Sequence, residues 1–196
     1  MRFRLLLLLA GLLGTGAAQA QSVQTAYAGG SPVVITIPVT ASVGGRCGFV
    51  DGALPSGSFN KDNFDQTGFS AQFDFSLNCT GPSRVAISSS NGGLLTSAAA
   101  PAGYRNKADY QVSLLLLANN GTRAEASCAA STLASGGTCG FAGKASTTQG
   151  LQLASTAVNQ PGSYVRISAP AQGAASSVLI VGSYSDTLTI TVSPAL

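Results

Sequence analysis

The chain has 196 residues, of which only 9% are charged, with 10 Lys and Arg against 7 Asp and Glu and no His. Without His, Ser-His-Asp and Cys-His catalytic arrangements are excluded, and the charge balance offers neither a basic surface for nucleic acid nor an acidic tail. Low charge alone points toward disorder, but the many β-branched and aromatic residues argue for a packed core.

The chain opens on Met1-Arg2-Phe3-Arg4, followed by an almost unbroken apolar run from Leu5 to Leu13 and a small-x-small site, Ala18-Gln19-Ala20. This pattern predicts a secretory signal peptide over residues 1–20, cleaved after Ala20. The apolar run is shorter than the roughly 20 residues a spanning helix needs, and no later stretch is long and apolar enough to span. An exported protein with no membrane insertion is expected. Loss of Arg2 and Arg4 takes the formal charge from +3 to +1. Residues 21–32 read as a flexible, polar, glycine-bearing leader, and residues 33–196 as one domain.

Alternation with period two, the mark of half-buried strands, dominates that domain. Val33, Ile35, Ile37, Val39, Ala41 and Val43 fall on one face, and Val34, Thr36, Pro38, Thr40 and Ser42 on the other. Phe69, Ala71, Phe73, Phe75 and Leu77 then alternate with Ser70, Gln72, Asp74, Ser76 and Asn78 in a strand that ends at Cys79. Further strands are predicted over residues 84–89, 110–118, 150–155, 163–168, 177–181 and 186–193. In the last of these, Leu188, Ile190 and Val192 alternate with Thr187, Thr189 and Thr191. Asn91-Gly92-Gly93, Asn119-Asn120-Gly121 and Gln160-Pro161-Gly162 read as turns, and the small-residue stretches 97–103 and 129–137 as loops. The apolar run Leu114–Leu117 reads as a core strand buried on both faces. No segment carries a sustained helical period, so the predicted class is an all-β sandwich.

The four cysteines, Cys47, Cys79, Cys128 and Cys139, read as two disulfides in an exported chain. Three pairings are open. Cys47–Cys79 is favoured because it ties the chain start to the Phe-rich strand, and Cys128–Cys139 because the two bracket a short loop. With no His and no CxxC spacing, zinc ligation has little to build on, and no metal or other cofactor is expected.

The carboxylates are few. Asp62 and Asp65, beside Lys61 and Asn63, have the proximity of an acid pair or of calcium ligands, but the loop lacks the ligand series of a calcium motif, and Asn60-Lys61-Asp62-Asn63 reads as a polar turn. Gly136-Gly137 does not match a phosphate-binding loop. Asp186 reads as a residue that hydrogen-bonds locally where the last strand begins, rather than as a ligand. No enzymatic activity is expected.

Four segments carry a family resemblance: Val33–Phe49 (VVITIPVTASVGGRCGF), Phe75–Gly93 (FSLNCTGPSRVAISSSNGG), Asp109–Thr122 (DYQVSLLLLANNGT) and Gly182–Pro194 (GSYSDTLTITVSP). Their order and spacing resemble the spore coat protein U domain, the family that includes the Csu-type pilins of archaic chaperone–usher pili. The closing strand is the most specific element, and the Cys128/Cys139 pair lies outside the family pattern as a local elaboration. The resemblance implies an incomplete immunoglobulin-like β-sandwich completed by donor-strand complementation. A periplasmic chaperone fills the apolar groove first, and an outer-membrane usher assembles subunits. In the fibre the N-terminal strand of an identical or related pilin subunit takes the chaperone's place. A structural pilus subunit at the cell surface, serving attachment and biofilm formation, is the expected function. A secreted, self-complete coat protein and an adhesive tip subunit are the alternatives.

The residues agree in two places. The sequence ends directly after a strongly alternating strand, so the next sheet edge is expected to lie uncovered, a liability unless a partner fills it. A flexible leader followed by the alternating residues 33–43 makes a suitable donor, whose affinity would come from main-chain hydrogen bonds and whose specificity from alternate side chains. Val33, Ile35, Ile37 and Val39 are the expected plugs. Burying four such side chains contributes roughly 6–12 kcal/mol gross, less the ordering of the segment. Pro38 lacks an N–H, so it either marks the end of the donated stretch or faces an unpaired edge. The same segment also has the pattern of a first strand retained in its own sandwich.

Overall fold

In a computed structural model of the protein, the residues described are 45–172 and 178–195. The expected donor residues Val33, Ile35, Ile37 and Val39 therefore lie outside the described residues. The described chain is almost wholly β-structure: β1 (Phe69–Cys79), β2 (Ser83–Ser89), β3 (Leu94–Leu95), β4 (Tyr104–Arg105), β5 (Lys107–Ala108), β6 (Gln111–Leu117), β7 (Arg123–Ala129), β8 (Leu151–Leu153), β9 (Ala157–Ala169), β10 (Val178–Leu179) and β11 (Leu188–Pro194). A single α-helical turn at Phe64–Thr67 and a 3-10 turn at Ala130–Leu133 are the helical elements among the described residues, where no helix is long and apolar enough to cross a membrane.

Two sheets face each other. One has the order β1-β9-β6-β7 and the other β11-β2-β8, while β3 with β5 and β4 with β10 form short ribbons. The main pairings are antiparallel. Alternation builds the core as the sequence implies: Phe75, Leu77, Val85, Ile87, Val112, Leu114, Leu116, Leu153 and Val165 are at most 2% exposed. Leu114 and Leu116 point into the sandwich. Leu115 points the other way, between its cross-strand neighbours Tyr164 and Glu125, and is still only 8% exposed, so three of the four leucines are buried.

Three segments depart from the pattern reading. Gln160-Pro161-Gly162, expected as a turn, lies inside the 13-residue β9. Asn159 (φ 50°) and Gly162 (φ 96°) take left-handed backbone there, and the β1–β9 register shifts between Phe75 and Cys79. The turn-forming residues thus produce bulges that bend a continuous strand. Strand β7 falls where no strand is expected, because Ala124, Ala126 and Cys128 are small. They nevertheless alternate with Arg123, Glu125 and Ser127 and pack against the core. Part of the 129–137 loop winds into the 3-10 turn, whose Leu133 is fully buried.

Upstream of β1, residues 46–53 lie antiparallel along its second edge. Asn78 N–H donates to Gly48 C=O (2.9 Å), Thr80 N–H to Arg46 C=O (3.0 Å), and Val50 N–H to Ser76 C=O (2.9 Å). Phe49 bridges to Leu77 in this register, so Cys47 falls directly opposite Cys79 at a close, non-hydrogen-bonded position. The Cα atoms are 4.0 Å apart and the disulfide closes there. The second disulfide joins Cys128, on β7, to Cys139 across the 3-10 turn. Both pairings are those favoured from the sequence, and two disulfides fit an oxidising, exported compartment.

The loops they close differ in length, with sequence separations of 32 and 11 residues. Chain-entropy reasoning assigns about 3.7 kcal/mol to the first and about 2.8 kcal/mol to the second. Urea unfolding of the Cys47→Ala/Cys79→Ala and Cys128→Ala/Cys139→Ala variants should therefore rank the first as the less stable. The opposite ranking would mean that loop length does not govern their contribution.

Candidate functional site

Strand β11 is an edge strand among the described residues. It pairs with β2 from Leu188↔Ser89 to Pro194↔Ser83, and the flanking bonds fix the phase. Ser90 N–H donates to Thr187 C=O (3.0 Å) at one end and Ala195 N–H to Pro82 C=O (2.9 Å) at the other. Odd-numbered residues thus turn their backbone groups toward β2. Antiparallel alternation then turns the N–H and C=O of Leu188, Ile190 and Val192, and the C=O of Pro194, toward the opposite edge. Their side chains face the core, opposite Ser89, Ile87 and Val85, and are only partly buried there. One residue set therefore presents both an incompletely covered apolar stripe and a row of outward backbone groups. Thr189, Thr191 and Ser193 face the other side, where Thr191 Oγ1 accepts from Ala145 N–H at 2.8 Å.

The start of this strand is held by one carboxylate. Asp186 Oδ1 accepts from Ser90 Oγ (2.8 Å), Asn91 N–H (3.0 Å) and Thr187 N–H (2.8 Å). Asp186 Oδ2 accepts from Ser89 Oγ (2.6 Å), Tyr110 Oη (2.7 Å) and Gly93 N–H (3.2 Å). Apart from its neighbour Thr187, the donors come from the end of β2 and the turn after it and from the residue just before β6, so one side chain joins both sheets to the approach to β11. The turn is tight because Ser89 Oγ also accepts from Gly92 N–H (2.7 Å). Gly92 sits at φ 62°, and a Cβ on Gly93 would stand 2.9 Å from Ala108 C=O. The Asn-Gly-Gly signal is therefore a turn, built to aim two N–H groups at the carboxylate.

Burial alone would raise the Asp186 carboxyl, but the hydrogen bonds from Ser89, Tyr110, Asn91 and Ser90 outweigh it and hold the group below the ordinary carboxylate value. Burial first, and then the adjacent Asp186 carboxylate, push the Tyr110 hydroxyl far above its ordinary value, keeping it a donor. The local reading of Asp186 holds for Thr187 N–H alone: four of its donors, on Ser89, Ser90, Asn91 and Gly93, lie more than 90 positions away and a fifth is on Tyr110. Tyr184, two residues earlier, donates its hydroxyl to Ile180 C=O (2.8 Å) and meets Phe64 edge-on at 5.5 Å, completing the approach.

Of the other expected residues, Asp62 and Asp65 fall on the polar turn and the single helical turn around Asn63, whose backbone is left-handed (φ 50°). A groove of about 600 Å³ lies outside β2 and β11, lined mostly by small and hydroxyl residues, with Leu133 among them and Lys144 as its one charged side chain. Compared with models of protein families, with curated proteins and with solved structures, the chain matches none. The case for a function therefore rests on the residues and their geometry.

Asp186 gives the site a pH signature. Its folded-state pKa lies below the unfolded value, so the stability it contributes is present above about pH 3.9 and is lost as pH falls through the lower folded value. The acid limb of the unfolding midpoint should flatten in Asp186→Asn. Truncation in Asp186→Ala leaves partly buried donors unpaired and should cost about 1–3 kcal/mol at neutral pH by urea titration.

Proposed function

We propose that this protein is a structural subunit of a surface fibre, a pilin that polymerises by donating its N-terminal strand to the β11 edge of a neighbour. The observation that carries the reading is the half-covered stripe of Leu188, Ile190 and Val192 on an edge whose backbone groups point outward.

The strand arrangement supports an immunoglobulin-like assignment. Residues 46–50, β1, β9 and β6 take the places of strands A, B, E and D, with β2 and β11 as C and F. In such a sandwich strand G lies beside F, at the edge where β11 has no neighbour among the described residues. Tyr184 fits the same scheme. A tyrosine near the start of strand F that bonds back to the backbone a few residues upstream is a feature of the fold, and Tyr184 bonds to Ile180, four residues back.

The phase of β11 also accounts for Pro38. A donor running antiparallel, with Val33, Ile35, Ile37 and Val39 toward the core, directs the backbone groups of those same residues at Leu188, Ile190, Val192 and Pro194. Pro38 is one position out of phase, so its missing N–H faces away from the acceptor and removes no bond from the ladder. A parallel donor would place Pro38 in the ladder and lose one. The partners of this reading are identical or related subunits, a periplasmic chaperone and an outer-membrane usher. The location is the cell surface, where a fibre serves attachment and biofilm formation.

Purified mature protein run unboiled in SDS should give a ladder of resistant oligomers. Deleting residues 21–40 should abolish the ladder, and Ile37→Asp should shorten it at least tenfold. A wild-type protein that migrates only as a monomer would instead favour the self-complete sandwich and sink the polymer reading.

A further inference from the structure

We propose that Asp186 is the positioning residue of the acceptor half of the subunit, required for receiving a strand and not for donating one. The inference rests on the strand-exchange reading and assigns within it a role to a residue remote from the donor segment.

Two features of β11 lead to it. Among the described residues the strand is hydrogen-bonded along one side only, and its core-facing side chains are partly covered, so neither a second ladder among them nor full apolar burial holds it. Its far end is held by Ala195 N–H on Pro82 C=O. Its near end is held by the six donors that converge on Asp186, and by Ser185, whose N–H and C=O exchange bonds with Leu95, each at 3.0 Å. An incoming strand needs the outward groups of Leu188, Ile190 and Val192 already in line, since a ladder forms only against an extended neighbour. If the near end frays, the receptive conformation is populated only in part, and apparent affinity for the donor falls by that fraction. The donated segment lies at the other end of the sequence, and the six donors to Asp186 belong to residues 89–93, Tyr110 and Thr187. The outcome is an asymmetry: without the Asp186 carboxylate a subunit still gives its strand and no longer takes one.

The experiment uses the full mature chain. Asp186→Asn is labelled on its lysines, Lys61, Lys107 and Lys144, sparsely enough that a labelled subunit carries one fluorophore, with wild type labelled to the same degree, and is polymerised alone or with excess unlabelled wild type. Oligomers are then separated in unboiled SDS, and labels per oligomer are counted by photobleaching steps. The variant alone should give ladders at least tenfold shorter than wild type. In the mixture it should enter oligomers, with no more than one labelled subunit in each, because it occupies only the end whose groove stays empty. Labelled wild type should enter at several positions. Variant ladders of wild-type length, several variant labels per oligomer, or a variant absent from mixed oligomers despite native disulfides and β-sheet circular dichroism would each overturn the inference. If Asp186→Asn does not fold, Ser90→Ala decides. It removes one donor from Oδ1 and should shorten ladders several-fold, with fewer labelled subunits per mixed oligomer than labelled wild type gives, whereas unchanged ladders overturn the inference. Absence of any ladder from wild type would instead remove the strand-exchange reading itself, and this inference with it.

Discussion

In a β-strand the side chain and the backbone groups of one residue stand at right angles, so fixing which residues bond to a neighbour also fixes which side chains enter the core. In β11 the bonds to β2 run through Thr187, Thr189, Thr191, Ser193 and Ala195. Leu188, Ile190 and Val192 are therefore committed twice, with side chains in the sandwich and amides at the edge. Shifting this register by one residue would put three threonines in the core and three apolar side chains in solvent. The rest of the site depends on keeping that phase.

Two devices keep it. At one end Pro194 and Ala195 close against Ser83 and Pro82. At the other the Asp186 carboxylate gathers hydroxyls and amides from the 89–93 turn and from Tyr110. The second suits a strand whose apolar face is incompletely covered. Burial stabilises in proportion to the area removed from water, so a half-covered stripe stabilises its own strand less than a core strand such as β6 does. A charge-assisted hydrogen-bond cluster supplies order without demanding a covered face. The disulfide between Cys47 and Cys79 acts similarly on the other sheet, locking the register of residues 46–50 against β1.

Much of this was legible in the residues. Alternation from Phe69 to Leu77 and from Leu188 to Val192 marks two of the principal strands. The strands next to Cys47 and Cys79 point to one disulfide pairing, and the short loop between Cys128 and Cys139 to the other. Strand β7 was hidden because Ala124, Ala126 and Cys128 carry too little apolar surface to register as a face, although the period is present. Strand β9 was cut short because Pro161-Gly162 carries turn chemistry, and the same φ preferences that make turns also make bulges in a strand long enough to continue past them. Asp186 is visible as a polar residue at a strand start. That its partners include Ser89, Ser90 and Tyr110 depends on long-range pairing, which no local pattern encodes. Nor does alternation say which neighbour a strand lacks. The half-covered face of β11 is a property of sheet order, not of its own sequence.

The scarcity of charge bears on how such an edge is kept from pairing with the wrong partner. Exposed edges are commonly guarded by lysines, by inward-pointing charges or by proline. With 9% of its residues charged, this chain has few side chains for the first two devices, and β11 itself carries none: its residues are Leu188, Thr189, Ile190, Thr191, Val192, Ser193 and Pro194. Proline remains. Pro194 offers a C=O but no N–H at the end of the outward row, so a strand sliding past that end finds one bond fewer. In the proposed fibre Pro38 is the matching element on the donor, with its missing N–H on the side away from the acceptor, where it blunts the edge that the added strand itself creates. Selectivity at a nearly uncharged edge then comes from phase. Only a segment that alternates apolar residues with period two, and that keeps any proline on the outward positions, satisfies both the stripe and the row of amides at once.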